Sequence, residues 1–268
     1  MSHVGFAFLL TLFAGLATGI GSCIALFAPR GQTRFLAVAL GFSAGVMIYV
    51  SFTELIPMAQ ALFTAQNLPQ ADILILSAFF GGVILTACID MVIPNIENPH
   101  EFQKSHSDIQ TLKNERHQPH KLLRLGFFTA GALALHNFPE GLATFIAANQ
   151  TIEIAYAITF AVALHNIPEG IAVSVPIFYA TGSRKKAFVY SFLSGLAEPA
   201  GAVLGYLFLS PFMNDTVMGI VFSGIAGIMV YISFDELLPA ARMYGKHHQT
   251  VIGLFAGMLV MGISLILF

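Results

Sequence analysis

Residues 44–59 read AGVMIYVSFTELIPMA, and residues 226–241 read AGIMVYISFDELLPAA. Ten of the sixteen positions are identical. Each copy carries a proline near its end and holds carboxylates in apolar surroundings: Glu54 in the first, Asp235 and Glu236 in the second. Outward from these copies, apolar runs of bilayer-crossing length, about 20 residues, recur along the chain. Eight spans are expected: 4–28, 35–59, 71–93, 122–148, 152–180, 186–209, 216–240 and 249–267. The two copies fall on spans two and seven, which run in opposite directions. One segment in both orientations predicts an all-α membrane protein with an inverted repeat. Spans 1–3 are related to spans 6–8, with spans 4 and 5 between them. This 3+2+3 arrangement is of a kind that secondary transporters use.

Composition agrees. Of 268 residues, 56% are hydrophobic and 10% charged, against about a quarter charged in a soluble domain. That shortfall excludes a water-facing surface for a chain of this size. The net charge of −2 carries no signal of its own, and no nucleic-acid partner is expected. Cys23 and Cys88 each lie in an apolar run. They form no Cys-x-x-Cys pair and are expected as small packing residues. The first apolar run is long and no basic segment precedes it, so it reads as a first membrane helix, not a cleaved leader. Glycines at GxxxG spacing (Gly15/Gly19, Gly41/Gly45, Gly201/Gly205, Gly253/Gly257) predict close helix approach.

All twelve Lys and Arg residues sort to one side of the eight spans. Arg30 and Arg34 lie between spans one and two, and Arg184, Lys185 and Lys186 between five and six. Arg242 and Lys246 lie between seven and eight. Lys104, Lys113, Arg116, Lys121 and Arg124 lie in or beside the polar segment 94–121. The positive-inside rule then puts both termini outside and segment 94–121 in the cytoplasm. That segment holds His100, His106, His117 and His120 among acidic residues. Its polarity predicts disorder. It reads equally as a loose metal-binding tract or as a solvated linker.

A second echo is tighter. Residues 132–143 read ALALHNFPEGLA and 161–172 read AVALHNIPEGIA, identical at nine of twelve positions. They lie on spans four and five, joined by a short turn. Ionisable groups in mid-membrane cost several kcal/mol and need a reason. His136 and Glu140 stand four apart on one helix face, as do His165 and Glu169, with Asn137 and Asn166 adjacent. If the hairpin turns near residue 152, with Thr151 as cap, His136 lies level with Glu169, and Glu140 with His165. The two levels are about 6 Å apart at helical rise. Pro139 and Pro168 lack an N–H and kink their helices, which mid-membrane backbone tolerates where it lines a polar cavity. Glu198, in span six, is a candidate third carboxylate. Glu54, Asp235 and Glu236 are candidate pathway residues, with symmetry-related packing as the bland alternative.

At these motifs the chain resembles the ZIP family of metal-ion transporters. HNFPEG at 136–141 and HNIPEG at 165–170 carry the resemblance, and GLAEPAG (195–201) and SFDELLP (233–239) fit it. It covers essentially the whole chain and implies one transmembrane domain over 1–268, in a bacterial inner membrane. It implies a binuclear centre in spans four to six. One metal would take His136, Glu140, His165 and Glu169. A second would take Asn137, Glu140, Asn166, Glu169 and Glu198, with the glutamates bridging. It further implies that spans 1, 4, 5 and 6 move against 2, 3, 7 and 8. The HExPHE motif of another branch is absent.

The expected function is therefore uptake of divalent transition metals by alternating access, by a secondary transporter and not an enzyme. Imidazole, carboxylate and amide ligands without thiolate suit Zn2+, Fe2+, Co2+ and Mn2+, and Cd2+ is a further candidate. These ions are cargo, and no prosthetic group is expected. Membrane lipid is the other expected partner, and a homodimer is left open. Three rivals stand: an intramembrane metallohydrolase, disfavoured because HExxH is absent, a metal sensor without transport, and an efflux carrier.

Overall fold

The computed structural model describes residues 3–27, 33–92, 119–148, 152–209, 212 and 214–267; within these, the side chains of His136 and His165 fall outside the description. The described residues form helices joined by short turns, with no strand among them. The helices are α1 (His3–Phe27), α2 (Thr33–Val50), α3 (Ile56–Ala65), α4 (Ala71–Val92), α5 (Pro119–Ala148) and α6 (Ile152–Thr181). They continue with α7 (Arg184–Gly195), α8 (Ala197–Leu204), α9 (Asp215–Ile232), α10 (Leu238–Tyr244) and α11 (His247–Leu267). Three π-helical turns interrupt them, at Ser51–Leu55, Gly205–Leu209 and Ser233–Leu237.

Local chemistry explains the joints. Gly182 (φ 65°) closes α6 in the left-handed region, and its N–H reaches Phe178 O at 2.8 Å, a glycine stop of the usual kind. The Ser183 hydroxyl then caps α7 by accepting from Lys186 N at 3.3 Å. Asn214 Oδ1 caps α9 by accepting from Val217 N at 3.0 Å. The first and third π turns fall on the same positions of the 44–59 and 226–241 echo. Pro57 and Pro239 follow them at equivalent places, and each ring would strike the carbonyl four residues back in a regular helix. The chain widens by one residue instead: Ile56 N–H donates to Ser51 O, and Leu238 N–H to Ser233 O. In both copies the serine hydroxyl donates one turn back, Ser51 to Met47 O at 2.7 Å and Ser233 to Met229 O at 2.8 Å. The echo is thus repeated down to its hydrogen bonds. The two copies run antiparallel, because Thr216 Oγ1, at the start of α9, donates to Gln66 Oε1, just past α3, at 2.7 Å.

The helices sort into two groups by packing. α1, α5, α6, α7 and α8 pack mainly on one another, as do α2, α3, α4, α9, α10 and α11. The groups meet chiefly where α2 lies on α6 and α9 on α5. Close backbone approaches at glycine fall inside the groups. A Cβ on Gly21 would strike Ile167 O, and one on Gly170 would strike Thr18 O. In the second group, Gly45 abuts Leu254 O and Gly227 abuts Phe79 O.

Among the described residues, six segments are long and apolar enough to cross a membrane. They are His3–Cys23, Ala37–Ala65, Ala71–Ile89, Arg184–Phe208, Asp215–Met243 and His247–Ile266. Helices α5 and α6, thirty residues each, carry the paired motifs. The large apolar side chains left on the outside, such as Ile73, Leu76 and Ile84 on α4 or Phe255 and Leu259 on α11, suit a lipid environment. Cys88, expected as a packing residue, is exposed on α4, because α4 packs through one face only. Pro119 already begins α5, ahead of the expected start at 122. The rest of the 94–121 segment up to residue 118, and the expected cap at Thr151, lie outside the described residues.

Candidate metal centre

The paired motifs lie at the middle of α5 and α6, which pack side by side. Pro139 sits inside α5 and Pro168 inside α6. Asn137, Asn166, Glu169 and Glu198 are fully buried and Glu140 is 4% exposed. Five polar groups brought together at this depth carry a large desolvation cost that something must offset. Glu198 stands in the first turn of α8. The helix breaks just before it, at Leu196 (φ −69°, ψ −12°), because Pro199 has no N–H to give the Gly195 carbonyl.

Glycines bring these helices to backbone contact. A Cβ on Gly141 would strike Glu198 O, and one on Gly201 would strike Phe138 O, so α5 and α8 touch on either side of Glu140 and Glu198. Gly15 gives the same closeness between α1 and the α7–α8 break: its added Cβ would lie 2.8 Å from Gly195 O and 2.9 Å from Pro199 Cδ.

The amides tie the carboxylates together. Asn166 Nδ2 donates to Glu198 Oε2 at 2.6 Å and to Ala14 O of α1 at 2.8 Å. Asn137 Nδ2 donates to Ser194 O at 3.5 Å, and turning the amide over would let it donate instead to Glu169 Oε2 at 3.1 Å and to Leu133 O at 2.8 Å. In either orientation the amide lies beside Glu169, the register expected from a turn near residue 152. Glu140 and Glu169 both lie within Coulombic reach of Glu198. Asn166 Oδ1 and Glu198 Oε1 are buried and have no hydrogen-bond partner among the described residues. A buried acceptor left this way costs about 1–3 kcal/mol. A cation is the partner that two such oxygens suit.

The structure therefore gathers Asn137, Glu140, Asn166, Glu169 and Glu198. The side chains of His136 and His165 lie outside the described residues, and among the described residues no three His, Cys, Asp or Glu side chains stand close enough to hold a metal. Glu54, Asp235 and Glu236 sit on the π turns of the other helix group, the first two half-buried and Glu236 buried.

Sequence reasoning missed the part played by α1. The Ala14 carbonyl enters the site, yet α1 offers no ionisable side chain there; only Gly15 at GxxxG spacing hinted at close approach. Also missed was a buried hydroxyl chain beside the site. Ser22 Oγ lies 2.7 Å from Ser191 Oγ, which donates to Gly170 O at 2.9 Å, joining α1, α7 and α6.

Known proteins match over the same chain. A relative from Streptococcus mutans, named zinc transporter ZupT, is 57% identical over 99% of this chain and 98% of its own length. Proteins of the same name from Clostridium perfringens and Oceanobacillus iheyensis are 53% and 55% identical. Each covers 100% of this chain, and 98% and 99% of its own length respectively. These relatives are transporters rather than enzymes. A family model described as ZIP Zinc transporter matches residues 93–265, the stretch that holds both HNxPEG segments and Glu198. With that match and relatives above half identity from end to end, the chain belongs to the ZIP zinc transporter family.

Proposed function

We propose that the protein takes up divalent transition-metal ions into the cytoplasm by alternating access through the buried Asn/Glu centre, with zinc and iron(II) leading and manganese, cobalt and cadmium as further cargo. The observation that carries this reading is the pair of oxygens, Asn166 Oδ1 and Glu198 Oε1, that are buried in an apolar bundle without a hydrogen-bond partner among the described residues. The relatives' printed name supports zinc.

In this reading the centre is binuclear. His136 and His165 join Glu140 and Glu169 around a first ion. Asn137, Asn166 and Glu198 join the same glutamates around a second. Fully ionised, the three glutamates would carry −3, which two divalent cations more than offset. The eight helical rods cross the bacterial inner membrane in the 3+2+3 arrangement, with both termini outside. The antiparallel π turns support the inverted repeat. The placing of Arg34 and Lys246 at one end, where a Cβ on Gly245 would meet Ala37 Cβ, supports the orientation.

The helix grouping supports a mechanism as well. Backbone-close glycine contacts hold each group together internally, so α1 and α5–α8 can shift as one body against the rest, carrying the centre from one face to the other. A negative-inside potential favours inward movement of a doubly charged ion by about 4.6 kcal/mol per 100 mV. Glu54, Asp235 and Glu236 line the path in the other body.

The test is zinc uptake by purified protein in sealed vesicles, with Glu140→Ala as the control. Flux that depends on Glu140 supports transport through this centre. Turnover of a peptide or lipid without flux would favour the hydrolase instead, and the direction of flux separates uptake from efflux.

A further inference from the structure

We propose that Asn166 acts as a clamp that confines Glu198 to one metal-binding oxygen, and that this sets the preference for zinc over larger, oxygen-loving divalent ions. The inference rests on the metal centre proposed above.

The geometry at Asn166 carries it. A side-chain amide has two N–H donors. At Asn166 one faces Ala14 O at 2.8 Å and the other Glu198 Oε2 at 2.6 Å. Both donors are used, so the amide has no second way to sit. The Ala14 carbonyl belongs to the backbone of α1, which a Cβ-free contact at Gly15 holds against the α7–α8 break. The amide is therefore anchored to a rigid element and not to another mobile side chain. Its bond to Oε2, at 2.6 Å, is short. That leaves Glu198 Oε1, buried and without a partner among the described residues, for the ion.

Asn166 also keeps its own Oδ1, buried and without a hydrogen-bond partner among the described residues, for the ion.

Denticity decides which ion fits. Zinc is satisfied by four ligands at short distance and takes one oxygen from a carboxylate readily. Manganese prefers six oxygens, and calcium takes six to eight with carboxylates free to chelate. A carboxylate with one oxygen clamped cannot chelate. The clamp holds the oxygen count low and penalises the larger, harder ions without weakening zinc.

The experiment measures zinc-against-manganese competition in detergent-purified protein, together with the visible absorption of bound Co2+, whose intensity falls as coordination number rises. Asn166→Ala removes the clamp without adding a carboxylate. Asn166→Asp removes the donors but keeps an oxygen ligand. Both should lower the zinc-over-manganese ratio by about tenfold or more, and the Co2+ band of Asn166→Asp should weaken. Asn166→Ser, which keeps a short oxygen side chain but loses the two-donor amide, should move the ratio the same way, and it serves as the reading if the other Asn166 variants do not fold. An unchanged ratio in Asn166→Ala, with both ions weakened equally, would show a plain ligand and overturn the clamp. Wild-type protein that binds neither ion would overturn the centre itself.

Discussion

At the scale of single residues, the glutamates and glycines of the paired motifs make separable predictions. Glu140 and Glu169 are proposed to bridge both ions, so Glu140→Ala or Glu169→Ala should abolish zinc uptake at wild-type expression. Full uptake by either variant in vesicles would break the shared-centre reading. The glycines test packing. Gly141→Ala drives a Cβ into Glu198 O, an overpacking that costs about 1–3 kcal/mol. Gly131, on the same helix, has nothing within 4 Å of an added Cβ. There the gain in helix propensity, about 0.5–1 kcal/mol, has no steric opposition. Thermal unfolding in detergent should therefore shift down for Gly141→Ala and slightly up for Gly131→Ala, and only the first should lose zinc affinity.

At the scale of elements, prolines place the candidate ligands by breaking helices. Pro199 leaves Gly195 O without its helical donor and turns the chain at Leu196, so that Glu198 enters the centre from the first turn of α8. Pro199→Ala restores the N–H and favours a continuous α7–α8 helix. Helix content by circular dichroism should hold or rise, while zinc affinity falls by about tenfold or more because the carboxylate is re-aimed. Unchanged affinity would mean that the break does not position Glu198. The 94–121 segment is the opposite kind of element. Its sequence carries histidines in no repeated ligand spacing, so replacing His100, His106, His117 and His120 together by alanine should leave substantial uptake. Complete loss with normal membrane expression would make that segment part of the transport path.

At the scale of the molecule, orientation and the two-body division are the open quantities. In a background lacking Cys23 and the exposed Cys88, Gln66→Cys should react with an impermeant thiol reagent from outside. Lys185→Cys should react only after the membrane is opened. Both side chains are exposed, so burial does not mask the result, and labelling of Lys185→Cys in intact cells would invert the proposed topology.

The sequence alone determined the helical membrane class and the motifs that carry the candidate site, because hydropathy and local repetition are properties of neighbouring residues. Span 152–180 differs from α6, Ile152–Thr181, by one residue, and the HNxPEG echo named the buried Asn and Glu cluster directly. The antiparallel echo of 44–59 and 226–241 was legible for the same reason: each copy carries its own proline and therefore its own widened turn. Tertiary structure alone decided what depends on which helices touch. No local pattern says that the Ala14 carbonyl holds the Asn166 amide, or that the same amide reaches Glu198 on α8. Nor does one say that Cys88 faces outward, since any position of an apolar run is equally apolar on every side. Partner choice between helices is set by where small residues let backbones meet, as Gly141 does with Glu198 and Gly170 with Thr18. That choice brought a helix without a single ionisable residue near the centre into the centre itself.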